Sequence, residues 1–335
     1  MTERINNPQS ITKEEIDAII SDGKSPVIQF SEDGYSPSLL KKIDSLCEIY
    51  DEELEIRFYG HYGETFDASI LCHLPNVKKL SVDCLQHVEN HEEIGKLQNL
   101  KSLSFGVYYF EDMEFLSRLN LKSLNRIVIG ENHKKNIDLS YLSECKVLEE
   151  LYIVGHTKHI DVLASLPKLK KLSLGSIGKK QNLLFVNEID TLESLMLILG
   201  GRESFEEVNN PNLKKIEIIR VRGLERLGDI SRFPKLSYFQ IEDQIKIKEV
   251  SFANLLISLT DLKIITCKSL TRLNGINKLE SLSNLRIYST DIEINDILSE
   301  ELPKSLKVFA FYTGKVKKDK EIRTILDSRG FSEFS

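Results

Sequence analysis

Leu169-Lys170-Lys171-Leu172-Ser173-Leu174 decides the fold: Leu172 and Leu174 alternate with polar residues at the period of a strand that buries one face. Leu169 and Leu166, three residues apart on the approach, add apolar contacts from the opposite side. The same apolar-x-x-apolar-x-apolar pattern returns eleven times, with middle members Leu80, Leu103, Ile127, Leu151, Leu172, Leu195, Ile216, Phe239, Leu262, Leu285 and Phe309. Ten steps carry it from Leu80 to Phe309, a mean period of about 23 residues. A degenerate unit, Glu53-x-x-Ile56-x-Phe58, precedes them with an acid where the first leucine belongs. Pro75, Pro167, Pro211 and Pro234 each stand two residues ahead of a first apolar member, where a residue without an N–H is tolerated.

Over Glu53 to Phe311 the chain resembles a leucine-rich repeat protein, closest to the short-period, internalin-like class. The resemblance implies an α/β solenoid, a horseshoe of about twelve coils with a concave parallel β-sheet and short helical or extended segments on the convex side. One such unit cannot bury its apolar side alone, so neighbours supply the core and the ends need caps. Ile11-Thr12-Lys13-Glu14-Glu15-Ile16 carries a Thr-x-x-Glu capping box and an Ile11/Ile16 staple. Val27-Ile28-Gln29-Phe30 reads as a strand, and Ser36-Pro37 starts a second helix with Leu39, Leu40, Ile43, Leu46, Cys47 and Tyr50 at helical spacing. The expected organisation is a helix-strand-helix cap over residues 1–52, repeats over 53–312 and a C-terminal cap over 313–335, where Ile322, Ile325 and Leu326 precede Gly330.

One position departs from the family. Eight residues after the first leucine an asparagine normally bonds backbone between coils, and here only Asn132 keeps it. Cys267 and Thr290 are plausible small replacements, whereas Leu85, Tyr108 and Val221 are not, so irregular coils are expected there.

Composition narrows the function. A net charge of −6 with both signs interspersed argues against nucleic acid, which calls for a basic face. The one basic run, Lys315, Lys317, Lys318 and Lys320, reads as a solvated end. No stretch approaches 18 apolar residues, so no membrane span is expected, and Met-Thr-Glu-Arg lacks the apolar run of a secretion signal. Five cysteines, odd in number and scattered, fit reduced thiols. These features point to a soluble, cytoplasmic protein; they leave the oligomeric state open, with a monomer favoured.

Chemistry is sparse. Gly200-Gly201 lacks the lysine and spacing of a phosphate loop. Cys84-x-x-His87-x-x-x-His91, with Cys72 upstream, has zinc-like spacings, but Cys84 reads as packed inward and the histidines as solvated. His133, His156 and His159 follow successive strands and read as solvated loop residues on one rim. No catalytic set, metal or cofactor is expected, and the chain reads as a non-enzyme.

The surface pattern is more informative. Strand residues between the buried leucines face the concave side. Arg57, Val128, Tyr152, Met196, Glu217, Gln240, Lys263 and Arg286 form a central row, flanked by Tyr59, Val154, Ile198, Ile219, Glu242 and Tyr288. Val128, Tyr152, Val154, Met196, Ile198 and Ile219 make an apolar middle beside a charged stretch toward the C-terminal end, the composition of an interface core and rim. The expected function is therefore a protein-binding solenoid that sequesters or inhibits one protein partner, in its sharpest form a bacterial immunity protein neutralising a toxin. The alternatives are a regulatory or scaffolding subunit of an enzyme such as a phosphatase, and a translocated bacterial effector.

Overall fold

Each apolar-x-apolar segment becomes one short parallel strand, and each strand hydrogen-bonds the equivalent strand of the next coil. The computed structural model describes residues 1–60, 65–134 and 136–334, and the chain divides into two units, Met1–Leu169 and Lys170–Ser335. In the first unit the strands are β1 (Thr2–Asn6), β2 (Ser25–Phe30), β3 (Glu55–Tyr59), β4 (Lys79–Leu85), β5 (Ser102–Val107), β6 (Arg126–Ile129) and β7 (Glu150–Val154), paired in that order. In the second they are β8 (Lys171–Gly175), β9 (Ser194–Ile198), β10 (Lys215–Ile219), β11 (Tyr238–Glu242), β12 (Asp261–Ile265), β13 (Asn284–Tyr288) and β14 (Val308–Tyr312). All these pairings are parallel, because every coil crosses back through a connection of its own. This is the solenoid of stacked coils that the repeat implies.

The inward residues stand in register. Ile56, Leu80, Leu103, Ile127 and Leu151 are neighbours on successive strands of the first unit, and Leu172, Leu195, Ile216, Phe239, Leu262, Leu285 and Phe309 on those of the second. All are buried. No coil could do this alone, since a single strand and turn leave one side of each leucine in water.

Residues 1–52 hold α1 (Lys13–Ser21) and α2 (Pro37–Tyr50) on either side of β2. The Thr12/Glu15 capping box is closed, and Ser36 caps α2 ahead of Pro37. β1 has no counterpart among the expected elements, because its residues alternate without an apolar face that sequence reading could detect. Among the C-terminal elements, α3 (Ile294–Leu298) crosses between β13 and β14, and α4 (Val316–Ser328) buries Ile322 and Leu326.

Most other crossovers are single 3-10 turns, and aspartates organise several of them. Asp138 accepts from the Ser140 N–H at 2.9 Å, and also from Lys158 and His159 of the next coil, each at 2.8 Å. Asp112 takes Glu114 N–H, Arg118 Nε and His91 in the same way, and Asp229 takes Ser231 and the Ala253 N–H. One carboxylate thus caps its own turn and ties in a second segment.

Where the family asparagine is missing, the coils use other means. His156 is not a solvated loop histidine: it is fully buried, donates from Nε2 to the Gly130 carbonyl at 3.0 Å and accepts the Ile137 N–H on Nδ1 at 3.2 Å. Those two bonds make it the asparagine's substitute. Gln244 donates to the carbonyls of Ile218 and Glu242, and the Cys267 thiol lies 3.4 Å from the Ile265 carbonyl. Leu85, Ile177 and Val221 are simply buried as apolar filling. At Gly200 φ is +73° and a Cβ would lie 2.4 Å from the Ile177 carbonyl oxygen, so no side chain fits. The register shift between Val82 and Leu85 is the irregularity that accompanies one of these replacements.

A second regularity is a left-handed corner four residues after the middle leucine. Ser176, Leu199, Arg220, Asp243, Thr266 and Ser289 all have φ between 51° and 61°, and each donates its N–H to the last strand carbonyl of the following coil at 2.7 to 2.9 Å. The ladder is extended by one rung at a cost of about 1 kcal/mol per non-glycine residue.

Two outcomes are expected. His156→Leu keeps the volume but makes neither bond, and should lower stability in urea unfolding by about 2–4 kcal/mol, with His156→Asn losing less. Burial pushes the Asp138 carboxyl up, but the bonds from Lys158, Ser140 and His159 outweigh it and hold it well below the usual carboxylate range; Asp112 and Asp229 are lowered too. Depressed carboxyls stabilise the fold above their unfolded pKa, about 3.9, and that contribution is lost as pH falls below it. Thermal melts should therefore decline between about pH 4 and pH 2, with a shallower decline in Asp138→Asn.

Candidate functional site

Strand alternation puts every second residue on the face of the sheet opposite the leucines, so each expected binding residue has a defined place. In the first unit Gln29, Arg57, Ser81, Ser104, Val128 and Tyr152 run side by side across β2 to β7, with Tyr59, Asp83 and Val154 in the row beyond. The polar end of this face is already ordered. Arg57 Nε donates to Asp83 at 2.7 Å, its Nη1 donates to Gln29 at 3.3 Å, and its guanidinium lies 4.6 Å from the Tyr59 ring centre. Gln29 in turn donates to Asn6 and to the Tyr59 hydroxyl.

Beyond it the face becomes apolar and deepens. The flanking row carries Gly106 and Gly130, which touch so closely that a Cβ on Gly130 would lie 2.8 Å from the Gly106 Cα. Their missing side chains leave a notch of about 430 Å3 walled by Tyr108, Val128, Tyr152 and Val154. One of these walls continues into an aromatic group: Tyr108 meets Tyr109 edge-on at 4.9 Å, the His87 and Tyr109 rings stack with centres 4.9 Å apart, and His133 lies 5.5 Å from Tyr109. Tyr108 and Tyr109 are each 47% exposed, so this aromatic group is presented rather than buried. Sequence reading of strand rows missed it, since Tyr108 and Tyr109 follow the strand; the doublet Tyr108-Tyr109 beside Gly106 was the available signal.

In the second unit Met196, Glu217, Gln240, Lys263 and Arg286 form one row and Ile198, Ile219, Glu242, Ile265, Tyr288 and Tyr312 the next. Glu217 and Gln240 are more covered than the reading of a charged rim implies, at 9% exposure each. Lys215 holds Glu217 at 2.9 Å, Gln240 lies between the Tyr238 hydroxyl and Glu242, and the Tyr238 ring has Lys215 and Lys263 ammoniums 5.0 and 4.9 Å from its centre. Ala310, at the end of the central row, is buried. Arg286 Nε is buried without a hydrogen-bond partner among the described residues.

The zinc-like spacing does not assemble a site. Cys84 is exposed rather than packed inward, because its left-handed backbone at φ 54° breaks the alternation within β4. His87 stacks on Tyr109, while His91 bonds Asp112 at 3.0 Å. Among the described residues no group of three His, Cys, Asp or Glu is placed to hold a metal ion. Burial pushes the Cys47 and Cys145 thiols up to about 12 and Cys267 up to about 11, which suppresses thiolate chemistry at those three. No helix among the described residues is long and apolar enough to cross a membrane.

Residues 71–272 match a family model described as the LRR repeats of the FBD-associated F-box protein At5g56370. No curated protein matches the sequence. Among solved structures the chain is similar to an internalin from Listeria monocytogenes, at 17% identity and a TM-score of 0.54, covering 84% of this chain and 77% of that one. It is also similar to a chain of the glycosylated Toll–Spatzle complex from Drosophila, at 13% identity and a TM-score of 0.51, covering 92% of this chain but only 52% of the other. An LRR protein from Leptospira interrogans aligns at 16% identity over 82% of this chain and 86% of its own, with a TM-score of 0.40. At these identities the likeness is one of fold.

A half-exposed ring that serves binding rather than folding can be removed cheaply. Tyr109→Ser should leave urea stability within about 0.5 kcal/mol of the wild type. A loss above about 2 kcal/mol would make the aromatic group structural.

Proposed function

Because the chain belongs to the leucine-rich repeat family, we propose that it is a non-enzymatic binding protein that holds one protein partner on the open face of its sheets and thereby sequesters or inhibits it. The observation that carries this reading is the aromatic group of His87, Tyr108, Tyr109 and His133, joined through Tyr108 to the glycine-floored notch. Tyrosine supplies large contact area with few rotatable bonds, and a cluster of such rings around a depression is where binding energy concentrates. Ile198 and Ile219 on one side of Glu242, and Ile265, Tyr288 and Tyr312 on the other, offer apolar area in one row of the second unit. Preordered polar contacts such as Arg57–Asp83 reduce the entropy lost on docking.

A wide surface of this kind acts by covering. In its sharpest form the partner is a toxin or an enzyme whose working surface is occluded, as by an immunity protein in the cytoplasm of a bacterium. Affinity capture from the native cell should compare wild type with Tyr109→Ala and Tyr152→Ala in the first unit, Met196→Ala and Tyr288→Ala in the second, and Ile245→Ser as a control off this face. The identified partner should bind at least tenfold more weakly to an open-face variant, bind the control normally, and lose activity when saturated. Equal capture by every variant would remove the open face from consideration, and an unimpaired partner would remove inhibition.

A further inference from the structure

The first unit also carries a hollow of about 350 Å3 whose lining is unexpected in a chain of net charge −6. Four cations, Arg4, Arg57, Lys79 and Arg126, border it against two carboxylates, Glu55 and Asp83. The floor is Ser81, Ser102 and Ser104, each more than nine-tenths buried. Strand register explains the shape. Glu55, Lys79, Ser102 and Arg126 lie side by side on β3 to β6, and Arg57, Ser81 and Ser104 lie in the adjacent row, so short hydroxyl residues are sunk among long cationic ones.

Both carboxylates are engaged. Glu55 accepts from Ser81 Oγ at 2.6 Å, and Asp83 accepts from Arg57 Nε at 2.7 Å and Ser104 Oγ at 3.3 Å. Arg126 lies 3.7 Å from Glu150, but the Lys79 and Arg4 side chains have neither hydrogen bond nor ion pair among the described residues. Ser102 Oγ accepts from Arg126 Nη1 at 3.4 Å, and its own proton has no acceptor among the described residues. The hollow therefore combines surplus positive charge with a buried hydroxyl that still has a proton to give.

We propose that this hollow receives a carboxylate, the side chain of an aspartate or glutamate on a loop of the protein partner; the inference rests on the protein-binding reading above. Ser102 would donate to one carboxylate oxygen, and Lys79 and Arg126, two strands or roughly 10 Å apart, would flank the group with charge-assisted bonds. A partner lysine would face the surplus cations, and a leucine would leave the Ser102 proton unanswered in a drier setting. The overall acidity of the chain favours basic partners at long range, so this hollow would select among them by the position of one acidic residue.

The test uses the whole chain with its Val27 methyl groups, which line the hollow, observed by NMR at low salt. A blocked Gly-Gly-Glu-Gly-Gly peptide is titrated beside its Lys, Leu and phosphoserine counterparts and inorganic phosphate. The glutamate peptide should shift Val27, weaken as salt rises, and lose at least tenfold in affinity with Lys79→Glu and about three- to tenfold with Ser102→Ala. The proposal fails if Lys79→Glu changes nothing, if the Lys or Leu peptide binds as well, or if phosphate or phosphoserine binds where glutamate does not. Capture of the partner by Lys79→Glu at wild-type strength, alongside its loss by Tyr152→Ala, would sink the hollow and leave the binding face standing. Because the titration needs no partner, it gives its answer even if the open-face variants do not weaken capture.

Discussion

A coil of about 23 residues has one strand, one turn and an apolar side it cannot cover, and everything else in this protein follows from that shortage. Parallel pairing answers it by placing Leu103, Ile127 and Leu151 against one another in one unit and Leu172, Leu195 and Ile216 in the other. Each leucine is a core residue only because its neighbour is. The backbone ladder then has to be continued around the corners, where strand geometry ends and polar groups would otherwise be buried unpaired.

At those corners the chain is inventive. His156, Gln244 and Cys267 occupy one position in the repeat and direct different atoms at backbone carbonyls, while Leu85 and Val221 occupy it as filling. Asparagine is dispensable at this position: some coils bond backbone there through another polar side chain, and others only fill the space. On the crossover side the aspartates do comparable work through charge: Asp138 and Asp229 each cap a turn and reach the next segment.

The strands were readable because period-two burial is written in consecutive residues, and the inward leucines followed from it. The family and the solenoid were legible for the same reason. His156 was misplaced because burial of a polar ring depends on two partners, Gly130 and Ile137, that only folding brings near. Cys84 was misplaced because a left-handed residue breaks the alternation on which the inward reading relied. Placing Met196, Tyr152 and Arg286 on the open face needed only parity. The notch and the hollow were out of reach for a different reason: each is defined by what short residues leave empty, Gly106 and Gly130 in one and three serines in the other, and absence of a side chain carries no periodic signature.

The left-handed corners separate two kinds of freedom. Ser176, Leu199, Arg220, Asp243, Thr266 and Ser289 share a backbone shape and an N–H bond while their side chains range over hydroxyl, apolar, basic and acidic. Identity at that column is thus uncoupled from the architecture. Mutation there can rewrite the edge of the sheet letter by letter, from grease to acid to base, while the scaffold beneath goes on reading the same.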